Sequence, residues 1–187
     1  MHLPLPLGDC PLPQTSEFQR ALYRDVQSLY RNSSLILLSA PCEHIDDPQK
    51  FTSTEWSAWT AGTVNGKIYE LPSNYSPSQV LAGTASKIQH MTLEALQEHL
   101  DEKLSALDAS GTVNFLSVID STDSALFLAS LGKIQSPDQS QITTASVGGL
   151  FFEHSMMLSF SRYQKIAEQP NFEKLLKTVK NVVARAE

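Results

Sequence analysis

The two cysteines are the residues whose chemistry has the widest consequences for this sequence. Cys42 ends the stretch "LILLSAPC" and is followed by Glu43 and His44, whereas Cys10 lies in a segment rich in proline. A thiolate beside a histidine can act as a nucleophile, because a nearby base or cation lowers the pKa of the thiol. Together with the carboxylate of Asp120, Cys42 and His44 would supply the parts of a hydrolytic or redox enzyme.

A structural role for the same residues is the interpretation that we favour. No CxxC pair is present, and no glycine near Cys42 could shape an oxyanion loop. Asp120 stands just before "STDSA", where it would cap a predicted helix. A disulfide between Cys10 and Cys42 would tie the proline-rich segment to the body of the protein by closing a loop of about 32 residues. Two unrelated thiols remain the alternative.

Histidines and acidic residues do not form a metal-binding pattern. An acidic surface loop explains the proximity of His44 to Asp46 and Asp47. His90 and His99 are nine residues apart, and one helical face presents residues that are three or four apart. Phosphate loops, GxSxG elbows and HExxH motifs are absent. We therefore predict no metal site and no cofactor.

The charge of the chain limits its partners. The 187 residues include 14 Lys and Arg and 20 Asp and Glu, which gives a net charge of −6, and neither sign forms a run of five. Nucleic acids and anionic membranes are not expected partners, because both require a basic patch. No stretch approaches the roughly 18 consecutive apolar residues of a membrane-spanning helix. The sequence thus predicts no integral membrane segment.

The compartment follows from the cysteines and from the first residues. The prolines of "MHLPLPLGDCPLP" prevent the continuous apolar helix of a signal peptide. We expect a mature exported protein, periplasmic or secreted, whose signal has been removed, because a structural disulfide requires an oxidising compartment. A cytoplasmic location is the alternative if the thiols are not bridged.

Apolar periodicity predicts the elements that position these residues. The arm over residues 1–14 has too few donors to join a sheet firmly. We predict helices over 16–31, 92–108 and 121–132 and a final helix that carries Phe172 to Val183. The predicted strands are 35–39, buried on both faces, 60–64 and 67–71 around Asn65-Gly66, 112–120, 141–152 with a bulge or bend at Gly148-Gly149, and 155–163. Residues 80–88 fit a short helix or a strand equally well.

The predicted fold is α+β. Most connections between strands are too short for parallel crossovers, so a mainly antiparallel sheet covered by helices is expected. No repeat or change of composition divides the chain. We therefore predict one domain over residues 1–187, with residues 1–14 as its N-terminal arm.

The C-terminal stretch "VGGLFFEHSMMLSFSRYQKIAEQPNFEKLLKTVKNVVARAE" resembles the ending of Mog1/PsbP-like domains. In both, two adjacent strands and a short polar spacer precede a terminal helix. The resemblance covers roughly residues 111–187 and rests on element order and apolar patterning. It implies an α/β/α sandwich and a non-catalytic role in binding or assembly, and it transfers no functional residue.

The expected function is binding without catalysis. The protein would act through protein or small-ligand binding, as an accessory or assembly factor or as an immunity-type protein that masks a partner. Trp56 and Trp59, with Phe51 and Tyr69, form a candidate interface, because tryptophan and tyrosine anchor many interfaces. Core packing is the alternative for these aromatic residues. A protein partner is expected, and the sequence does not indicate an oligomeric state.

Overall fold

The computed structural model describes residues 3–30, 32–47, 50, 55–98, 115–135, 141–166 and 170–186. These residues form four helices and a sheet of nine strands. The strands are β1 (Asp9–Pro11), β2 (Ser33–Pro41), β3 (Trp56–Val64), β4 (Lys67–Ile68), β5 (Gln89–His90), β6 (Phe115–Ser121), β7 (Ala125–Gln135), β8 (Gln141–Glu153) and β9 (Met156–Lys165). The helices are α1 (Glu17–Leu29), α2 (Pro77–Ala85), α3 (Leu93–Glu98) and α4 (Phe172–Ala186), and a 3-10 turn spans Cys42–His44.

One mainly antiparallel sheet organises the described part of the chain. Its strand order is β1-β2-β3-β9-β8-β7-β6-β5, and β4 pairs with β3. The pair β5–β6 is parallel, and the other strand pairs are antiparallel. The prediction of an α+β fold with a mainly antiparallel sheet is therefore confirmed.

Alternation along β7 separates the two faces of the sheet. Phe127 and Ala129 belong to the apolar core beneath α4, whereas Leu126 and Leu128, on the opposite face, pack in a cluster with Leu81 of α2. Both faces of this central strand are therefore buried. The same alternation occurs on β3, where Trp59 lies in the α4 core and Ala58 packs near α1.

Helix α4 is the final helix that the sequence predicts. Asn171 accepts a hydrogen bond from the backbone N–H of Lys174 at 2.8 Å, which satisfies one donor of the first turn. The buried side of the helix consists of Phe172, Leu175, Leu176, Val179, Val182, Val183 and Ala186. The remaining side of the helix is polar, and part of it faces the cleft described below.

Two hairpin turns and the first helix also agree with the sequence. Asn65 and Gly66 have φ values of 52° and 75°, as a type I′ turn requires. His154 and Ser155 form the turn between the last two strands, with φ values of 46° and 68°, and Ser155 is thus not part of the predicted strand. Ser16 caps α1 by accepting a hydrogen bond from the N–H of Gln19.

The predicted short helix over 121–132 is wrong. Residues from Ala125 onward form β7, one of the central strands of the sheet. The stretch is apolar on both faces, so its periodicity resembles that of a buried helix. Thr122 does not cap a helix, since its Oγ1 accepts from the N–H of Ala125 at 3.0 Å within the β6–β7 turn.

The prediction that the arm would not join the sheet is also wrong. Asp9–Pro11 form the edge strand β1, which pairs with β2. The N–H of Leu12 donates to Leu38 O at 2.8 Å. An edge strand needs donors on one side only, and therefore it tolerates Pro11.

The structure also corrects or refines the predictions for four other segments. Strand pairing runs without a shift through Gly148 and Gly149, so no bulge exists there. Strand β2 is not buried on both faces along its length, because Ile36 is 38% exposed at a register shift. Of residues 80–88, which fitted a helix or a strand, residues 80–85 belong to helix α2. The predicted helix over 92–108 is described only as α3, where Leu96 is buried, and its remainder lies outside the described residues.

Candidate functional site

The disulfide fixes a turn of the N-terminal arm against the sheet. Cys10 and Cys42 are bonded, with their Cα atoms 4.8 Å apart, within the range that the bond geometry allows. The N–H of Cys42 donates to Gly8 O at 2.9 Å, and the N–H of Asp9 donates to Pro6 O at 3.1 Å. Gly8 has a φ of 84°, which is the value that the third residue of a type II turn requires.

A cleft of about 1060 Å³ lies beside this turn. One wall comprises the arm from Pro6 to Asp9 together with residues 41–43, and the opposite wall is the polar side of α4. Leu7 stands on the rim at the tip of the turn, and it is 97% exposed. The cleft therefore combines a covalently anchored wall, a helix and an apolar side chain that faces solvent.

Four charged side chains form a cluster that extends from the floor of the cleft to its mouth. Arg162 on β9 is buried, and it donates to Asp9, to Ser57 Oγ at 2.8 Å and to Glu55 Oε2 at 3.2 and 3.3 Å. Lys174 Nζ donates to Glu55 Oε1 at 2.6 Å from the mouth of the cleft. Because two cations face two carboxylates, the cluster of Asp9, Glu55, Arg162 and Lys174 carries no net charge when all four are ionised.

The two carboxylates have opposite pKa shifts. Burial raises the pKa of Asp9 above its ordinary value of 3.8, although the Arg162 guanidinium acts in the other direction. Burial also acts to raise the pKa of Glu55, but hydrogen bonds and charge interactions with Lys174 and Arg162 outweigh it and lower that pKa below 4.5. Asp9 is thus the carboxylate whose ionised form is less stabilised.

The polar side of α4 presents donors along the cleft. Lys174, Thr178, Asn181 and Arg185 line it, and eleven residues of helix correspond to about 16 Å. Arg185 donates to Leu5 O at 2.8 Å and to Asn181 O at 3.0 Å, so it also holds the arm. Among the described residues, Arg185 forms no ion pair with a carboxylate.

The structure does not bring the candidate catalytic residues together. Cys42 is in the disulfide and has no thiolate in this state. His44 lies in the 3-10 turn, with Nε2 3.4 Å from Glu43. Asp120 lies in a different cavity, of about 520 Å³, where it pairs with Lys180 and accepts from the N–H of Ser121 at 2.7 Å. Asp120 does not cap a helix, because β7 follows it.

The aromatic interface does not form as predicted. Trp56 and Trp59 are 7% and 1% exposed and belong to two different core clusters. Trp56 stacks on Tyr163 at a centroid distance of 4.0 Å, and Trp59 Nε1 donates to Pro4 O at 3.0 Å. Both are core residues, which is the alternative that the sequence left open. Tyr69 is half-buried beside Phe152, and Phe51 lies outside the described residues.

Sequence reasoning missed the charge cluster, although β9 carried a signal for it. Leu158, Phe160 and Arg162 alternate with polar residues, so they share one face of the strand. An arginine at a core-facing position needs buried carboxylates. That rule predicts acidic partners for Arg162, but it does not identify Asp9 and Glu55, which are distant in sequence.

Among the described residues, no three His, Cys, Asp or Glu side chains gather as ligands for a metal ion. No helix in the described part of the chain is long and apolar enough to span a membrane. The chain matches no protein-family model and no curated protein.

Proposed function

We propose that the chain is an exported, non-catalytic binding protein that receives a partner protein in the cleft beside the Cys10–Cys42 disulfide. The observation that carries this proposal is the covalent anchoring of a cleft wall. A disulfide limits the freedom of the arm before binding, and a pre-ordered wall lowers the entropy that association costs.

A protein partner agrees with the shape and composition of the cleft. Its volume of about 1060 Å³ lies at the upper end for small-molecule sites. Leu7 is exposed at its rim, where it offers one apolar contact beside the polar groups of the cleft. A role as an accessory or assembly factor, or as an immunity-type protein, fits such a surface.

The proposal includes an oxidising compartment and a sandwich architecture. A periplasmic or secreted location is supported by the disulfide, since cytosolic thiols are kept reduced. A Mog1/PsbP-like α/β/α sandwich is supported by α4 and α2, which pack on side chains that alternate along β7. An experimental structure that places α2 and α4 on the same face would contradict the sandwich.

Affinity capture from the native source tests the binding function. The baits are the oxidised wild-type chain, Thr178→Trp, which fills the cleft, and Lys177→Trp, which adds the same side chain to an exposed position of α4 outside the cleft. We expect one partner to be retained by the wild type and by Lys177→Trp, with at least about a tenfold loss of affinity for Thr178→Trp. A partner that binds all three baits equally would contradict binding in the cleft.

A further inference from the structure

The partners of buried Arg162 come from separate parts of the chain. Its Nη1 donates to the Asp9 carboxylate and to Ser57 Oγ, whereas Nε and Nη2 donate to Glu55. Its side chain is 6% exposed, and the side chain of Asp9 is 2% exposed. A guanidinium at this depth requires carboxylate partners, because an unpaired buried charge is strongly destabilising.

The two carboxylates are held in different ways. Glu55 immediately precedes β3, in the body of the sheet, and Lys174 holds its second oxygen at 2.6 Å. Asp9 belongs to a strand of three residues at the sheet edge, directly after the turn that ends at Gly8 and directly before Cys10. The carboxylate at Nη1 is therefore supplied by an appended segment, and it faces the cleft.

We propose that the Nη1 side of Arg162, together with Ser57 and Ser39, is a carboxylate-binding site whose internal occupant is Asp9. Ser39 Oγ donates to Asp9 Oδ2 at 3.4 Å, so one hydroxyl donor accompanies the guanidinium, and Ser57 Oγ accepts from Nη1 and orients it. This inference rests on the proposed function and names its ligand class, an acidic side chain of a partner segment. Such a side chain restores the charge balance that Arg162 loses when Asp9 leaves.

The disulfide limits how readily Asp9 leaves the site. A dithiol reductant breaks the S–S bond. Two electrons and two protons pass from the reductant to the sulfur atoms of Cys10 and Cys42, and the reductant itself becomes a disulfide. Strand β1 then keeps its backbone hydrogen bonds to β2 but loses its covalent tie. In the oxidised protein an acidic side chain of the partner competes with a tethered Asp9, and in the reduced protein it competes with an untethered Asp9 and binds more strongly.

Rescue by formate tests the site without the natural partner. Asp9→Ala removes the carboxylate, and formate is a free carboxylate of the same size. We expect sodium formate to raise the melting temperature of Asp9→Ala by about 2–4 °C more than sodium chloride at equal ionic strength. Equal melting temperatures in the two salts would overturn the proposal.

Asp120→Ala is the matched control for this rescue. It also removes an aspartate that pairs with a cation, Lys180, but the two side chains are 35% and 42% exposed, and Asp120 lines another cavity. Formate and chloride should have the same effect on its melting temperature. A rescue of equal size in Asp120→Ala would show a general salt effect and would contradict a specific site.

A second variant decides the question if Asp9→Ala does not fold. Cys10→Ser/Cys42→Ser retains Asp9 and Arg162 but lacks the covalent tie. Formate should increase hydrogen exchange at the amides of Asp9 and Leu12 by about twofold or more over chloride, because it displaces Asp9. Equal exchange in both salts would overturn the proposal.

Two isomeric ligands distinguish the source of the carboxylate in this same variant. N-acetyl-aspartate amide has its carboxylate on the side chain, and N-acetyl-asparagine has it on the main chain. Stronger displacement by the first supports the acidic side chain, and stronger displacement by the second contradicts it. The displacement experiment uses no natural partner. A negative displacement result therefore does not affect the capture experiment, and a negative capture result does not affect the displacement experiment.

Discussion

At the scale of single residues, the buried guanidinium of Arg162 joins three parts of the chain. It connects β9 to Asp9 of the arm and to Glu55 before β3, and Lys174 extends the cluster to α4. The ionisation of the two carboxylates therefore affects both the stability of the fold and the position of the cleft wall.

The opposite pKa shifts of Asp9 and Glu55 predict opposite contributions to pH dependence. The raised pKa of Asp9 means that the folded chain holds its proton more strongly than the unfolded chain, so this group lowers the free energy of unfolding as pH rises from about 3.8. The lowered pKa of Glu55 means that the unfolded chain holds this proton more strongly than the folded chain, so this group raises the free energy of unfolding as pH rises. Its stabilisation is present above about pH 4.5 and is lost as pH falls through its folded pKa.

Single amide variants separate these contributions. Between about pH 3 and pH 6, the free energy of unfolding of Asp9→Asn should rise more steeply with pH than that of the wild type, and that of Glu55→Gln less steeply. Denaturant melts at each pH measure both slopes. Asp25→Asn, at an exposed position of α1, controls for the loss of one negative charge. If both amide variants change the slope in the same direction, the assignment of the two shifts is wrong.

At the scale of elements, α4 packs on the sheet because Gly149 leaves room for it. A Cβ atom at Gly149 would lie 2.7 Å from Val183 Cγ2 and 3.1 Å from Val179 Cγ1. Contacts this short require the helix to move away from β8. The glycine therefore sets the distance of α4 from the sheet and, through it, the position of the opposite wall of the cleft.

Gly149→Ala tests this close approach. We expect it to lower the free energy of unfolding by about 1–3 kcal/mol, because α4 is forced outward. Gly148→Ala is the matched control on the next residue, where the nearest atom is the hydroxyl of Ser161 at 2.8 Å, and rotation of that side chain relieves the contact. Urea melts of both variants measure the difference. A loss in Gly148→Ala as large as that in Gly149→Ala would contradict this role.

The sequence predicted those elements whose signals are local. The Ser16 cap, the Asn65-Gly66 turn and the apolar stripe of α4 depend on neighbouring residues, and each has the predicted structure. Residues 121–132 were not predictable in this way, because a strand that is buried on both faces has no alternating pattern. The edge strand β1 also depends on a distant partner, since β2 and the disulfide hold it.

At the scale of the whole molecule, the disulfide joins the arm to the sheet and so completes the cleft. The candidate site was only partly predictable from sequence. Two cysteines and an arm rich in proline indicated the bridge, whereas the cluster around Arg162 depends on strand pairing between distant segments. A disulfide that closes a loop of about 32 residues contributes roughly 3–4 kcal/mol in the chain-entropy model.

The redox state of Cys10 and Cys42 in the protein from its native source tests the central claim most directly. The protein is collected into an alkylating reagent without reductant, digested and analysed by mass spectrometry. An exported protein with an anchored cleft wall predicts a linked pair of peptides, two hydrogen atoms lighter than the two thiol peptides together. Recovery of both cysteines in alkylated form would contradict the bridge and would remove the observation that supports an exported location.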